Sequence, residues 1–225
     1  MNNFWLVFFM LSASVFSQQK KIGEFTELII KDGLHVTMIP GEKNEIFITS
    51  KNTKGVTVTN RDGQLKIKMK PFQTLKGIDA NIELFFTGDI RKIDVSRGAY
   101  LSVLDTIKTE ELDLCSRKGA EIELSLSVNK VNYTANTGGK IIVKGEVEQQ
   151  KINISSGGTV DAQRTLSKES TAQITFGGLC EVQATSLFDL ITRFGGIARV
   201  HGDPLKTVHK KTLGGSILFS KLPEE

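Results

Sequence analysis

A glycine turn recurs seven times in the second half of this 225-residue chain, at Ser96-Arg97-Gly98-Ala99, Arg117-Lys118-Gly119-Ala120, Thr137-Gly138-Gly139, Ser156-Gly157-Gly158, Phe176-Gly177-Gly178, Phe194-Gly195-Gly196 and Leu213-Gly214-Gly215. Counted from Gly98, Gly119, Gly138, Gly157, Gly177, Gly195 and Gly214, the intervals are 21, 19, 19, 20, 18 and 19 residues. Three residues past each of these glycines stand Leu101, Ile122, Ile141, Val160, Cys180, Ala198 and Ile217. Five past them stand Val103, Leu124, Val143, Ala162, Val182, Val200 and Phe219. A period near 20 that holds apolar residues at fixed offsets, with no helical pattern, predicts a solenoid of stacked parallel strands. Offsets two apart share one strand face, so both columns should point into the core as ladders. A second short strand precedes the turn, at Ile93 and Val95, Leu112 and Leu114, Val131 and Tyr133, and Ile152 and Ile154. It degrades in the last three coils, where Phe176, Phe194 and Leu213 stand beside the glycine. The glycine pairs suit corners, where the chain needs positive φ and close backbone approach. The expected fold is an all-β, single-stranded β-helix-like solenoid with coils of about 20 residues, two- or three-faced.

The rest of the chain is consistent with one elongated domain. Hydrophobic residues make up 39%, enough for a sizeable core at this length. Only four prolines and many Ile, Val and Thr favour strands. The net charge of +4 and pI near 9.0 are mildly basic. The lysines are dispersed, and no zinc-finger spacing, RNP-like aromatic motif or basic helix accompanies them, so no nucleic-acid partner is expected. Residues 1–17 resemble a secretory signal: an apolar run from Phe4 to Leu11, too short to span a bilayer, then Ser12-Ala13-Ser14-Val15-Phe16-Ser17. Val15 and Ser17 suit the −3 and −1 positions of a cleavage before Gln18, although Asn2 and Asn3 stand where a lysine or arginine is usual. The expected organisation is a signal at 1–17 and a single solenoid domain at 18–225. Within it, 22–90 supplies opening strands or a cap, and 91–222 the glycine-marked coils. No transmembrane segment is expected once the signal is removed, and the chain should be exported to the periplasm, cell surface or exterior. Cys115 and Cys180 fall three coils apart, roughly 14 Å at the strand spacing. A disulfide needs Cα atoms within about 7 Å, so none is expected.

Residues 25–86 read as short alternating strands. Asp32-Gly33 marks a two-residue turn between Phe25–Ile30 and Leu34–Ile39, and Pro40–Asn44 turns the chain into Glu45–Thr49. Asn60-Arg61-Asp62-Gly63 separates Val56–Thr59 from Leu65–Met69, a loop follows from Pro71 to Gly77, and Ala80–Phe86 is another strand. A cap would cover apolar side chains and strand edges at the end of the ladders. The charged, proline-containing end Lys221–Glu225 would blunt edge pairing at the other terminus. The order Phe25…Ile29…Val36…Pro40-Gly41-Glu42, Gly63-Gln64-Leu65-Lys66-Ile67, Ile82-Glu83-Leu84 and Ile93-Asp94-Val95-Ser96-Arg97-Gly98-Ala99, followed by glycine-marked coils, resembles the bacterial head GIN domain family, labelled "putative auto-transporter adhesin". The resemblance covers roughly residues 22 to 220. Where that family often has Ser-Gly-Ser or Ser-Gly-Ala, this chain has Ser96-Arg97-Gly98 and later Gly-Gly pairs. The resemblance implies the fold and an adhesin-like binding role, and it carries over no functional residue.

The outward position four past each glycine reads Ser102, Glu123, Ile142, Asp161, Glu181, Arg199 and Leu218. Asp161 and Glu181 on adjacent coils, with Arg199 beyond, form the one candidate catalytic column. Two carboxylates about 5 Å apart suit retaining glycoside hydrolysis. An exposed salt-bridged column has the same composition and needs no function. No cofactor or metal is expected: His35, His201 and His209 lack convergent spacing, the Gly-Gly pairs are not followed by Lys-Ser/Thr and a helix, and no Gly-x-Ser-x-Gly elbow occurs. His201 is outward by alternation and should be exposed. Tyr100, two past Gly98, is the one candidate aromatic platform for a sugar, whereas Tyr133 falls inward. The reading that results is a secreted or envelope-associated non-enzymatic binding or scaffold protein. Its expected partner is a polysaccharide or an envelope protein, and end-to-end association is an open possibility. The alternative is a polysaccharide-active hydrolase or lyase using Asp161, Glu181 and Arg199.

Overall fold

The structure is a computed structural model that describes residues 16–50, 55–71 and 80–220. The described residues form sixteen strands and no helix. The opening strands are β1 (Phe16–Lys21), β2 (Glu27–Lys31), β3 (His35–Pro40), β4 (Glu45–Ser50), β5 (Val56–Arg61), β6 (Gln64–Met69), β7 (Ala80–Phe86) and β8 (Lys92–Ser96). Five long runs follow: β9 (Tyr100–Arg117), β10 (Glu121–Asn136), β11 (Lys140–Ser155), β12 (Gly158–Thr175) and β13 (Gly178–Arg193). The chain closes on β14 (Ile197–His201), β15 (Lys206–Lys211) and β16 (Ser216–Ser220). Of the expected signal, only Phe16 and Ser17 fall among the described residues, where they open β1. The loop expected after Pro71 and the end at Lys221–Glu225 lie outside them.

Parallel pairing stacks β9 to β13 in chain order, one coil on the next, and β14 to β16 continue the stack. The three-past-glycine ladder holds through every coil: Leu101, Ile122, Ile141, Val160, Cys180, Ala198 and Ile217 are successive register partners. All but Ile217 are fully buried. Pairing lapses between turns. It shifts register at Glu123/Ser125, Ile142/Lys144 and Ala162/Leu166, and it skips Asn129 and Glu148. The shifts fall between β9 and β10, β11 and β12, and β12 and β13, whereas β10 and β11 run in unbroken register from Glu121 to Val128.

The turn itself has a regular geometry. Both of its central residues have positive φ: Arg97, Lys118, Thr137, Ser156, Phe176 and Phe194 lie at 51–60°, and the glycines that follow at 70–92°. Two successive left-handed residues make a type I′ turn. The turns also bond along the axis, Gly98, Gly119 and Gly138 N–H donating to the carbonyls of Lys118, Thr137 and Ser156 at 3.0–3.2 Å. The second glycine serves a different need. A Cβ on Gly139 would stand 2.1 Å from the Ser116 carbonyl oxygen, and one on Gly158 2.3 Å from that of Ala135.

The opening segments add detail to the expectations. The two-residue turn at Asp32-Gly33 is present, with φ of 69° and 71°, but the strands it joins pair elsewhere: β2 in parallel with β6 and β8, and β3 with β7 and β9. It is an eighth solenoid turn, with Val36 three past Gly33 on the same ladder as Leu101. The alternatives for residues 22–90 are both realised. β6 and β7, then β2 and β3, open the solenoid by parallel pairing, whereas β1, β4 and β5 add antiparallel edges over it. The strand before the turn persists further than expected: Leu114, Tyr133, Ile152, Ala172 and Leu190 are one continuous register, and only before the last turn, in β15, are no residues buried. Smaller residues at Ala172, Ser170 and Thr192 disguise it in the sequence.

Candidate functional site

The outward column four past each glycine is assembled as its spacing predicts. Asp161 pairs with Glu181, Glu181 with Arg199, and Arg199 with Leu218. Their partners differ. The Arg199 guanidinium donates to Glu181 Oε1 in an ion pair. The Asp161 carboxylate instead accepts from the Gln163 backbone N–H and its Nε2, both at 3.3 Å. The three residues are thus adjacent, but the two carboxylates turn to different neighbours.

Asp161 also lines a concave groove of about 500 Å³ that crosses β9 to β12. The groove lies over the register shifts between β9 and β10 and between β11 and β12. Ser102, Glu123 and Ile142 of the same column line it, together with Leu104, Lys144 and Arg164. Glu181 and Arg199 do not. The site is of mixed character: two carboxylates, two cations and exposed aliphatic surface at Leu104. Lys144 and Gln163 stand six past their glycines, so extending outward alternation by one step reaches them. The register shift that brings them beside Asp161 has no sequence mark.

Tyr100 is not a free platform. Its ring packs against His35 at 5.8 Å between centroids, and its hydroxyl donates to Glu123 Oε2 at 2.9 Å. Burial, reinforced by that hydrogen bond, pushes the phenol up to about 12. The bond fixes Glu123 on the groove wall.

The histidines are scattered, and His201 corrects an expectation. It is 4% exposed rather than outward, with Nδ1 3.3 Å from Ser220 Oγ, and its buried Nε2 has no hydrogen-bond partner in the structure. The alternation that implies an exposed position holds only to Val200, because the chain bends at Gly202. His209 Nε2 lies 3.1 Å from Thr192 Oγ1. Among the described residues, no group of three or more His, Cys, Asp or Glu side chains is placed to hold a metal ion, and no helix is long and apolar enough to cross a membrane.

A parallel β-solenoid with a groove on one flank is a class of rigid, repetitive scaffold. The chain belongs to the family described as "Putative auto-transporter adhesin, head GIN domain", which it matches over residues 24–204. Solved structures agree in fold. A putative adhesin from Bacteroides fragilis superposes with a TM-score of 0.81 at 17% identity, covering 93% of this chain and 98% of its own. A protein titled putative lipid binding protein from Parabacteroides distasonis gives 0.69 at 14% identity, covering 92% and 97%. A putative adhesin from Parabacteroides merdae gives 0.68 at 17%, covering 92% and 97%. No curated protein matches the sequence.

Proposed function

We propose that this protein is an exported, non-enzymatic binding protein of the cell envelope, whose groove over β9 to β12 holds an extended polysaccharide or a segment of an envelope protein. The groove carries the reading. It is open along the flank, and it interleaves Glu123 and Asp161 with Lys144 and Arg164 around Leu104 and Ile142. Cations in such a setting meet carboxylate or sulfate groups, carboxylates accept from hydroxyls, and the aliphatic side chains lie against a ring face or peptide side chain. Strands hydrogen-bonded to the coils on either side hold these groups in place, so little ordering cost attends binding. Family membership supports the adhesin-like sense of the proposal.

The test is retention of glycans or envelope proteins by the purified chain, wild type against Lys144→Glu/Arg164→Glu. Both side chains are at the surface, so the double variant should fold normally and lose at least tenfold in retention. Undiminished retention would refute the groove. The second reading, polysaccharide cleavage, is favoured by one observation: Asp161 stands in the groove with Glu181 on the next coil. Shortened glycan products that vanish in Asp161→Asn would establish it in place of simple binding.

A further inference from the structure

The residue before the turn glycine changes character along the molecule. It is charged at Asp32, Arg97 and Lys118, polar at Thr137 and Ser156, and apolar at Phe176, Phe194 and Leu213. The two phenylalanines are left-handed at φ 58°, a conformation that bulky side chains rarely adopt and that Asn or Gly would accept readily. They are 62% and 50% exposed, so core packing does not compensate the strain. Their rings stack face to face, 5.0 Å apart and within 6° of parallel. Each thus covers one face of the other, which suits a projecting apolar ridge better than a platform for a sugar ring. Leu213 extends the ridge on the next turn, and Ile197, Leu218 and Phe219 are exposed nearby on β14 and β16.

Cations accompany this ridge. Arg193 directly precedes Phe194, Lys210 and Lys211 lie just before Leu213, and Lys206 opens β15. Residues 193–220 hold five basic side chains, Arg193, Arg199, Lys206, Lys210 and Lys211, against the one acid Asp203; Arg199 is held by Glu181, which leaves Arg193, Lys206, Lys210 and Lys211 as the cations of this surface. We infer that the C-terminal corner of the solenoid docks on an anionic lipid surface. The Phe and Leu tips enter the headgroup boundary and the flanking lysines meet lipid phosphates. A second copy of this chain is a poorer occupant, because tail-to-tail contact sets basic surface against basic surface. The inference is independent of what the groove holds.

The experiment is co-sedimentation of the exported form with phosphatidylcholine vesicles, with and without phosphatidylglycerol, across ionic strength. Binding should require phosphatidylglycerol and weaken with salt. Phe176→Asn/Phe194→Asn keeps the turn geometry and should lower binding about tenfold or more. Lys206→Gln, Lys210→Gln and Lys211→Gln should each lower it about fivefold. Binding that ignores phosphatidylglycerol, or that survives both sets of changes in folded protein, overturns the inference. So does a reversible dimer dispersed by the phenylalanine changes, since a second copy would then cover the ridge.

Discussion

Two neighbouring glycines in one turn answer to different physics, and single substitutions separate them. At Gly138 (φ 71°) nothing lies within 4 Å of the place an added methyl would take, so Gly138→Ala meets only left-handed strain, about 1–2 kcal/mol. At Gly139 the same methyl would drive into the Ser116 carbonyl, and the backbone of the neighbouring coil must move. Chemical denaturation should show Gly139→Ala to be the worse by about 2 kcal/mol or more. The sequence displays a Gly-Gly pair and a corner, but nothing in it divides the two roles. Asp-Gly makes the same point. At Asp62-Gly63 it closes a true hairpin between β5 and β6, and at Asp32-Gly33 it joins strands that never pair with each other. The local geometry is shared, with positive φ at all four residues, and only distant partners decide its use. Tyr100 offers a second residue-scale test. Its phenol is raised to about 12 by burial and by Glu123, above the ordinary value near 10. A group held protonated more tightly in the folded state contributes stability that is complete below the unfolded value and lost as pH rises through the folded one. Stability should therefore decline between about pH 10 and 12. Tyrosinate absorbance should show this late ionisation in the wild type and lose it in Tyr100→Phe.

At the scale of elements, the ladders were legible because an offset from glycine is a property of one coil that every other coil must share. Leu101 through Ala198 needed no more than counting. The strand before the turn was less so, since Ala172, Ser170 and Thr192 are small or polar yet buried. Such residues carry no hydrophobic signal, and Gln150 and Ser167 occupy the core through hydrogen bonds with Ser170 at 2.8 and 2.7 Å instead. The groove was least legible of all. Its column could be listed, but the register shifts beneath it arise from pairing between coils of unequal length. Cys180 provides a probe of this scale. It is fully buried between Val160 and Ala198, and burial pushes its thiol well above the ordinary range. Thiolate is the reacting form, so alkylation of Cys180 should wait for β12 and β13 to separate. Its labelling rate should then follow the unfolding rate under denaturant, whereas fast labelling in native conditions would show that these coils open locally.

The whole molecule is a stack in which most neighbours in space are one coil apart in sequence. The period fixed that much from the sequence alone, together with the family to which the chain belongs. Its two ends contrast. The first coil is crossed by antiparallel β1, β4 and β5, whereas the last shows Leu213, Leu218 and Phe219 on its surface. The first end has a consequence for the order of assembly. In the middle of the stack Ile122 finds Ile141 only 19 residues away, but Val36 must meet Leu101, 65 residues downstream. Closing the longer loop costs more chain entropy, about (3/2)RT ln n in loop length, and its contacts form in one large step. A chain emerging N-terminus first therefore holds β2 without a parallel partner until Leu65 reaches Leu28, 37 residues on, and β3 until Ile82 reaches Val36, 46 residues on, and both gain their second neighbour only with β8 and β9. The last strands, by contrast, find their template already built. The opening segment is the one that must be shielded while its partners arrive.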